Sequence, residues 1–290
     1  MARMMKRTIA LTGAVLSAVL LSACGSSGSA ATSGTPVTVL YAGSLVSLME
    51  KQVGPAFDAA TGNTFTGYGA GSTALVAQIK GGVHQGDVFI SASSKANDAL
   101  QGAANGAWET WYLTFATSGL VLGYNPNSTF AHDLRTKPWY QVVTEPGFRL
   151  GTTDPSTDPK GKLAAQALTD TAKAQGLTAL KALASKSADF FPEETLVGRL
   201  QAGQLDAGFF YTSEAKAAGI ATVPLTGTDL KATYTISILK NAPHEAAAEA
   251  FVRYLLGPDG RAAMAQDGFT LITPAKATGT VPSALTSVLR

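Results

Sequence analysis

"LYAGSLVSLM", residues 40–49, reads as the end of a strand, a turn at Ala42-Gly43 and the mouth of a helix, with Ser44 where that helix opens. The strand is expected over 37–41. Beyond it Leu45, Leu48, Met49, Val53, Ala56 and Phe57 recur at helical spacing, and Gly54-Pro55 is expected to kink or split the helix. Ser44 has an ordinary explanation as a helix cap, and Ser47 with Glu50 three residues on resembles a capping box. A second junction of the same kind follows in "GYGAGSTALVAQIKGG", residues 67–82, where a strand passes through a glycine-rich turn into a helix that opens at Ser72. Two strand-to-helix junctions, each with a hydroxyl and unpaired backbone N–H groups at a helix start, suit an anion.

Outward from these junctions, strand and helix patterns alternate. Strands are expected over 63–68, 87–91, 120–124, 148–152, 206–211 and 233–238. Helices are expected over 73–80, 95–104, 162–175, 195–202, 214–218 and 244–256, the last stopped by Gly257-Pro258. This is an α/β chain with mostly parallel sheets, and such sheets place ligands at the C-terminal ends of strands.

The first 23 residues start with Arg3, Lys6 and Arg7, continue as an apolar run too short to span a membrane comfortably, and end in Leu21-Ser22-Ala23 before Cys24. That layout is expected to be a signal peptide (1–23) ending in a bacterial lipobox, with cleavage before Cys24 and lipidation of its sulfur. Cys24 is the only cysteine, which excludes an internal disulfide. Residues 24–35, "CGSSGSAATSGT", read as a flexible tether. The remaining residues, about 255 from Pro36 on, can bury one large or two medium cores. The formal charge of +2 belongs to the signal, since without its three bases the chain has 19 basic and 20 acidic residues. No basic tract points to nucleic acid or anionic lipid.

Enzyme motifs fare poorly. Gly69-Ala70-Gly71-Ser72-Thr73-Ala74 fits the dinucleotide pattern G-x-G-x-x-A, but Asp87 starts the next strand where the ribose-binding acid should end it. His84, His132 and His244 lack metal-ligand spacing and read as solvated surface. No G-x-S-x-G occurs, and Ser213 to Lys216 matches S-x-x-K without its companion motifs. Asp154 and Asp158, or Glu193 and Glu194, could form an acid/base pair, though turn and cap roles explain them more simply. No enzymatic activity, cofactor or metal centre is expected.

Five segments then carry a resemblance, in order: "VLYAGSL"; "GAGSTALVAQIKGG" with "DVFISAS"; "GTTDPSTDPKG"; "LVGRLQAGQLDAGFFYTSEA"; and "AFVRYLLGPDGRAAMAQDGFTLITP". Together the chain resembles the molybdate/tungstate-binding family of periplasmic-type solute-binding proteins, the extracellular receptors of ABC importers. The resemblance implies a two-lobed α/β fold of type II, each lobe a mixed sheet flanked by helices, with the ligand in the cleft between them. Lobe 1 is expected to comprise 36–117 and 232–290, and lobe 2 118–231, with hinge crossings near 115–120 and 226–234.

The resemblance also implies a site. Ser44 and Ser72 would give hydroxyls, with backbone N–H groups of their loops at Gly43 and Gly71. The second lobe would give the Tyr211 hydroxyl and backbone N–H groups near Lys160 and near Glu193 and Glu194. The donors would be neutral, facing a tetrahedral dianion such as molybdate or tungstate in a dry cleft. In the tungstate-type branch a carboxylate of the D-P-x-x-D-P loop and a glutamate in F-E-Y expand the metal's coordination. Here Asp154 and Asp158 are present, but Phe210 stands in place of that glutamate and reads as core. The implied partners are an ABC permease with its ATPase and the small oxyanion. The chain is expected to be a monomer, exported and held at the outer face of the cell membrane or in the periplasm through its N-terminal lipid alone. Other readings are a receptor of the same fold for sulfate, a phosphonate, an iron complex or a small organic acid, and, further off, a secreted hydrolase or a surface adhesion protein.

Overall fold

The computed structural model describes residues 34–290, so the readings on 1–33, Cys24 among them, lie outside the described residues. Strand β1 (Pro36–Ala42) buries Val37, Val39 and Tyr41 and ends at the predicted turn. The chain then winds through a 3-10 turn (Gly43–Leu45), α1 (Val46–Leu48), a π-helical stretch (Met49–Val53) and α2 (Gly54–Thr61). Pro55 has no N–H for the helical ladder, and the helix meets it by widening one turn rather than by breaking. Strand β2 (Thr64–Ala70), α3 (Ser72–Lys80) and β3 (Val88–Ser91) follow, and β1 runs parallel to both β2 and β3. Helix α4 (Ser94–Asp98) is shorter than its pattern suggested. Gly102 and Gly106, in left-handed backbone conformations, bracket a separate 3-10 turn where the helix would have continued.

Strand β4 (Trp111–Tyr124) spans 14 residues, of which only the last five, 120–124, were expected as a strand. Helices α5 (Ala131–Thr136) and α6 (Trp139–Val142) and the short strand β5 (Leu150–Gly151) lead to α7 (Pro159–Gln175). After α8 (Thr178–Leu183) and α9 (Glu193–Gln201) come β6 (Ala207–Tyr211), α10 (Thr212–Ala217) and β7 (Ala221–Pro224). The chain returns through β8 (Lys231–Ile238), α11 (Glu245–Leu255), α12 (Pro258–Gln266) and β9 (Thr270–Gly279).

The strands join in the order β2-β1-β3-β8-β4-β6-β5, with β7 and β9 also on β4. Pairs β1-β2, β1-β3 and β5-β6 are parallel; β3-β8 and all four pairings of β4 are antiparallel. The sheet is therefore mixed rather than mostly parallel. The antiparallel pairs come from β4, which pairs through residues 111–119 with β8 and β9 and through 120–124 with β6 and β7. Phe210 is fully buried with Leu196, Leu200 and Leu205 behind α9 and α10, the core role read for it. His244 places Nδ1 3.2 Å from Asp87 Oδ2, and His84 packs its ring 4.0 Å from that of Tyr68, so neither is simply solvated.

Candidate functional site

The two junctions of β1 and β2 with their helices meet the starts of α7 and α9. Gly43 lies against Glu193: a Cβ there would stand 2.8 Å from Glu193 Oε2 and 2.9 Å from its Cβ. Gly71 lies against the loop before α7, where a Cβ would stand 2.7 Å from the Thr157 carbonyl and 2.9 Å from Asp158 Oδ2. Ala74 N–H donates to that Thr157 carbonyl at 3.0 Å. Only glycine permits these approaches, which is why both turns read as glycine-rich.

Ser44 is buried and makes no capping bond; its Oγ lies 3.1 Å from the Tyr234 hydroxyl. Ser72 opens α3, fully buried, and its Oγ accepts the Ala92 N–H at 3.1 Å, which leaves its own proton to donate elsewhere. Tyr211, at the end of β6, sets its ring 6.1 Å from that of Tyr234 at an interplanar angle of 76°. Its hydroxyl is buried without a hydrogen-bond partner among the described residues. A cavity of about 360 Å³ is lined by Ala70, Gly71, Ala74, Thr153, Asp154, Thr157, Asp158, Phe190, Phe191, Pro192, Glu193 and Glu194. Of the predicted residues Gly71, Glu193 and Glu194 line it, whereas Ser44, Ser72, Lys160 and Tyr211 are buried beyond its lining.

The charges depart from expectation. The Lys160 side chain is wholly buried, with Nζ 2.9 and 2.8 Å from the two Glu214 carboxylate oxygens and 3.3 Å from Glu193 Oε1. Burial opposes its charge, yet Glu214, Glu193 and Asp158 together hold its pKa above lysine's ordinary value. Asp158 N-caps α7: its Oδ1 accepts the Lys160 N–H at 2.6 Å, the Gly161 N–H at 3.3 Å and the Thr153 hydroxyl at 3.0 Å. Asp158 Oδ2 and both Glu193 oxygens lack an aligned donor among the described residues. Burial first, and Asp158 next, push the Glu193 pKa well above the usual carboxylate range, against the pull of Lys160. Burial also raises Glu214, with Lys160 opposing. A cleft of neutral donors was expected; the site instead holds one lysine against three acids. At an effective dielectric of 20, two unit charges about 4 Å apart interact by roughly 4 kcal/mol, so protonation here weighs heavily on any charged guest.

Sequence reasoning missed Tyr234 and Glu214. Tyr234 looks like one more core aromatic of a buried strand, and Glu214 like the exposed acid of a short surface helix. The one available signal was the position of Glu214 three residues after Tyr211, where it accepts the Tyr211 N–H at 3.3 Å. Asp154 takes the turn role read for it, accepting the Ser156 N–H and hydroxyl at 2.8 and 2.7 Å.

A cleft set among strand ends and helix starts, on a sheet that continues through β4, is the architecture of the two-lobed periplasmic binding proteins. The periplasmic molybdate-binding protein of Azotobacter vinelandii superposes with a TM-score of 0.65 at 23% identity, over 82% of this chain and all of that one. The family model for bacterial extracellular solute-binding proteins matches residues 37–270, and the chain belongs to that family. An uncharacterized solute-binding protein of Petrotoga mobilis is 27% identical over 82% of this chain and 84% of its own length. The molybdate/tungstate-binding protein WtpA of Thermococcus kodakarensis is 23% identical over 59% of this chain and 63% of its own. The resemblance read from the five motifs, and the fold class with it, are borne out.

Proposed function

We propose that this chain is the receptor of an ABC importer and takes a tetrahedral oxyanion, molybdate or tungstate foremost, between Ser44 and Ser72 on one side and Tyr211 with the start of α9 on the other. The Lys160 N–H expected among the donors is instead taken by Asp158. The observation that carries this reading is that two of the expected hydroxyls are left able to donate: Ser72, whose oxygen already accepts a backbone N–H, and Tyr211, buried with no partner among the described residues. Buried donors without acceptors are costly, and an anion supplies the acceptors. The names of the Thermococcus and Azotobacter proteins support the same class of guest. In this reading 36–117 with 232–290 form lobe 1 and 118–231 form lobe 2, closing about the β4 and β8 crossings on the anion. Export, lipidation at Cys24 and docking to a permease complete the proposal, with binding and release rather than turnover as its activity.

A thermal-shift screen over molybdate, tungstate, sulfate, phosphate and small organic acids tests the guest. Molybdate and tungstate should raise the melting temperature most, and X-ray scattering should show a smaller radius of gyration once they saturate the protein. Stabilisation by none of the oxyanions would overturn the assignment. For the anchor, wild type should partition into detergent while Cys24→Ala stays unlipidated; equal lipidation of both would overturn it.

A further inference from the structure

Resting on that oxyanion reading, we propose that Glu193 serves the site through its side chain as a neutral carboxylic acid, its O–H a donor beside the Gly43-Ser44 loop. The geometry is a mismatch of donors and acceptors. Both Glu193 oxygens and Asp158 Oδ2 are buried without an aligned donor among the described residues. Lys160 Nζ, 3.3 Å from Glu193 Oε1, directs its hydrogen bonds to Glu214 instead. A tetrahedral dianion brings acceptors only, so ionised Glu193 beside it would add further acceptors and further negative charge to a place that has too many of both. One proton on Glu193 removes a charge and turns an acceptor into a donor.

The groups around Glu193 favour that proton. Asp158 at the N-cap of α7, Lys160 on α7 and Glu214 on α10 face it, Tyr211 on β6 and Tyr234 on β8 lie nearby, and Asp154 and its own neighbour Glu194 line the same cavity. Lysine's single charge is engaged by Glu214, and the rest are acids or phenols. Burial and Asp158 raise the Glu193 pKa far enough for the acid form to persist beyond ordinary carboxylates. The sign follows: as pH climbs past the value of Glu193, the proton is lost, the cleft gains a negative charge, and affinity for a dianion falls by about tenfold per pH unit.

The test joins infrared difference spectra with molybdate calorimetry from pH 6 to 9, on wild type, Glu193→Gln and Glu193→Ala. An acid carbonyl stretch should stand out in the wild-type-minus-variant difference spectrum of the molybdate complex for each variant, where the bands of other buried acids such as Glu109 cancel. Wild-type affinity should fall above the pH at which that band fades in the ligand-free protein. Glu193→Gln, whose amide always donates, should bind without that pH dependence and tighter than Glu193→Ala. Molybdate binding with no such band in wild type, or an unaltered pH slope in Glu193→Gln, overturns the proposal alone. Failure of wild type to bind molybdate, tungstate or sulfate at any pH overturns the oxyanion reading and this proposal with it.

Discussion

Glu109 and Glu193 are both buried acids, and their surroundings differ. Beside β3 and β8, Glu109 Oε2 accepts the Asn97 amide at 3.1 Å and the Ser237 hydroxyl, and Asn97 Oδ1 in turn accepts from Ser91 at 3.0 Å and from Thr235. At the cleft, Glu193 sits among Asp158, Glu214 and Lys160, and neither of its oxygens has an aligned donor. The first network pairs Glu109 Oε2 through Asn and Ser, which add no charge, and leaves only Oε1 without an aligned donor among the described residues. The second is built from full charges and leaves acceptors and the Tyr211 hydroxyl open. A network with most of its polar groups paired holds strands together, whereas one with several open valences suits something that comes and goes.

The comparison can be broken first at Lys160. Lys160→Met should strand Glu214 beside Glu193 in the interior and cost on the order of 3–5 kcal/mol in urea unfolding. Adding Glu214→Gln should recover part of that loss. A Lys160→Met protein as stable as wild type would mean that the cluster is not held by charge.

Glu109 offers the second break. Burial pushes its pKa up to about 7 from an ordinary value of 4.5, with hydrogen bonds from Ser237 and Asn97 opposing. The folded protein therefore holds the proton more tightly than the unfolded chain. Stability should fall as pH rises from about 4.5 to about 7 and level off above, by on the order of 3 kcal/mol in all. Glu109→Gln should flatten this segment of the unfolding profile and leave affinity for molybdate intact. An unchanged pH profile would refute the assignment to Glu109, and a loss of molybdate affinity would show that the two networks are coupled.

The difference between the regions also explains what the sequence could disclose. Local geometry was legible: the strand, glycine turn and helix around Ser44, its repeat at Ser72, and Tyr211 at the end of "AGFFY" all lie where their patterns put them. The first half of β4 was not, because "WYLTFAT" has no clean alternation, and its partners β8 and β9 lie more than 100 residues on. Lys160 and Glu214, 54 residues apart, each look like an ordinary surface charge until the fold buries them face to face. Backbone contacts near Glu193 were anticipated, while the part of its side chain was hidden in the same way, since nothing local says that a glutamate at a helix start will lack water.

Titration calorimetry of wild type, Ser44→Ala, Ser72→Ala and Tyr211→Phe with molybdate, tungstate and sulfate bears most directly on the oxyanion cleft. Wild type should bind molybdate and tungstate more tightly than sulfate, whose shorter bonds leave some buried donors unpaired. Each substitution should remove one hydrogen bond to a charged guest, about 1.5–3 kcal/mol or on the order of 10- to 150-fold in affinity, with little change in folding stability. Wild type that binds none of the three anions, or serine and tyrosine variants that all bind like wild type, would contradict the assignment of this cleft to an oxyanion.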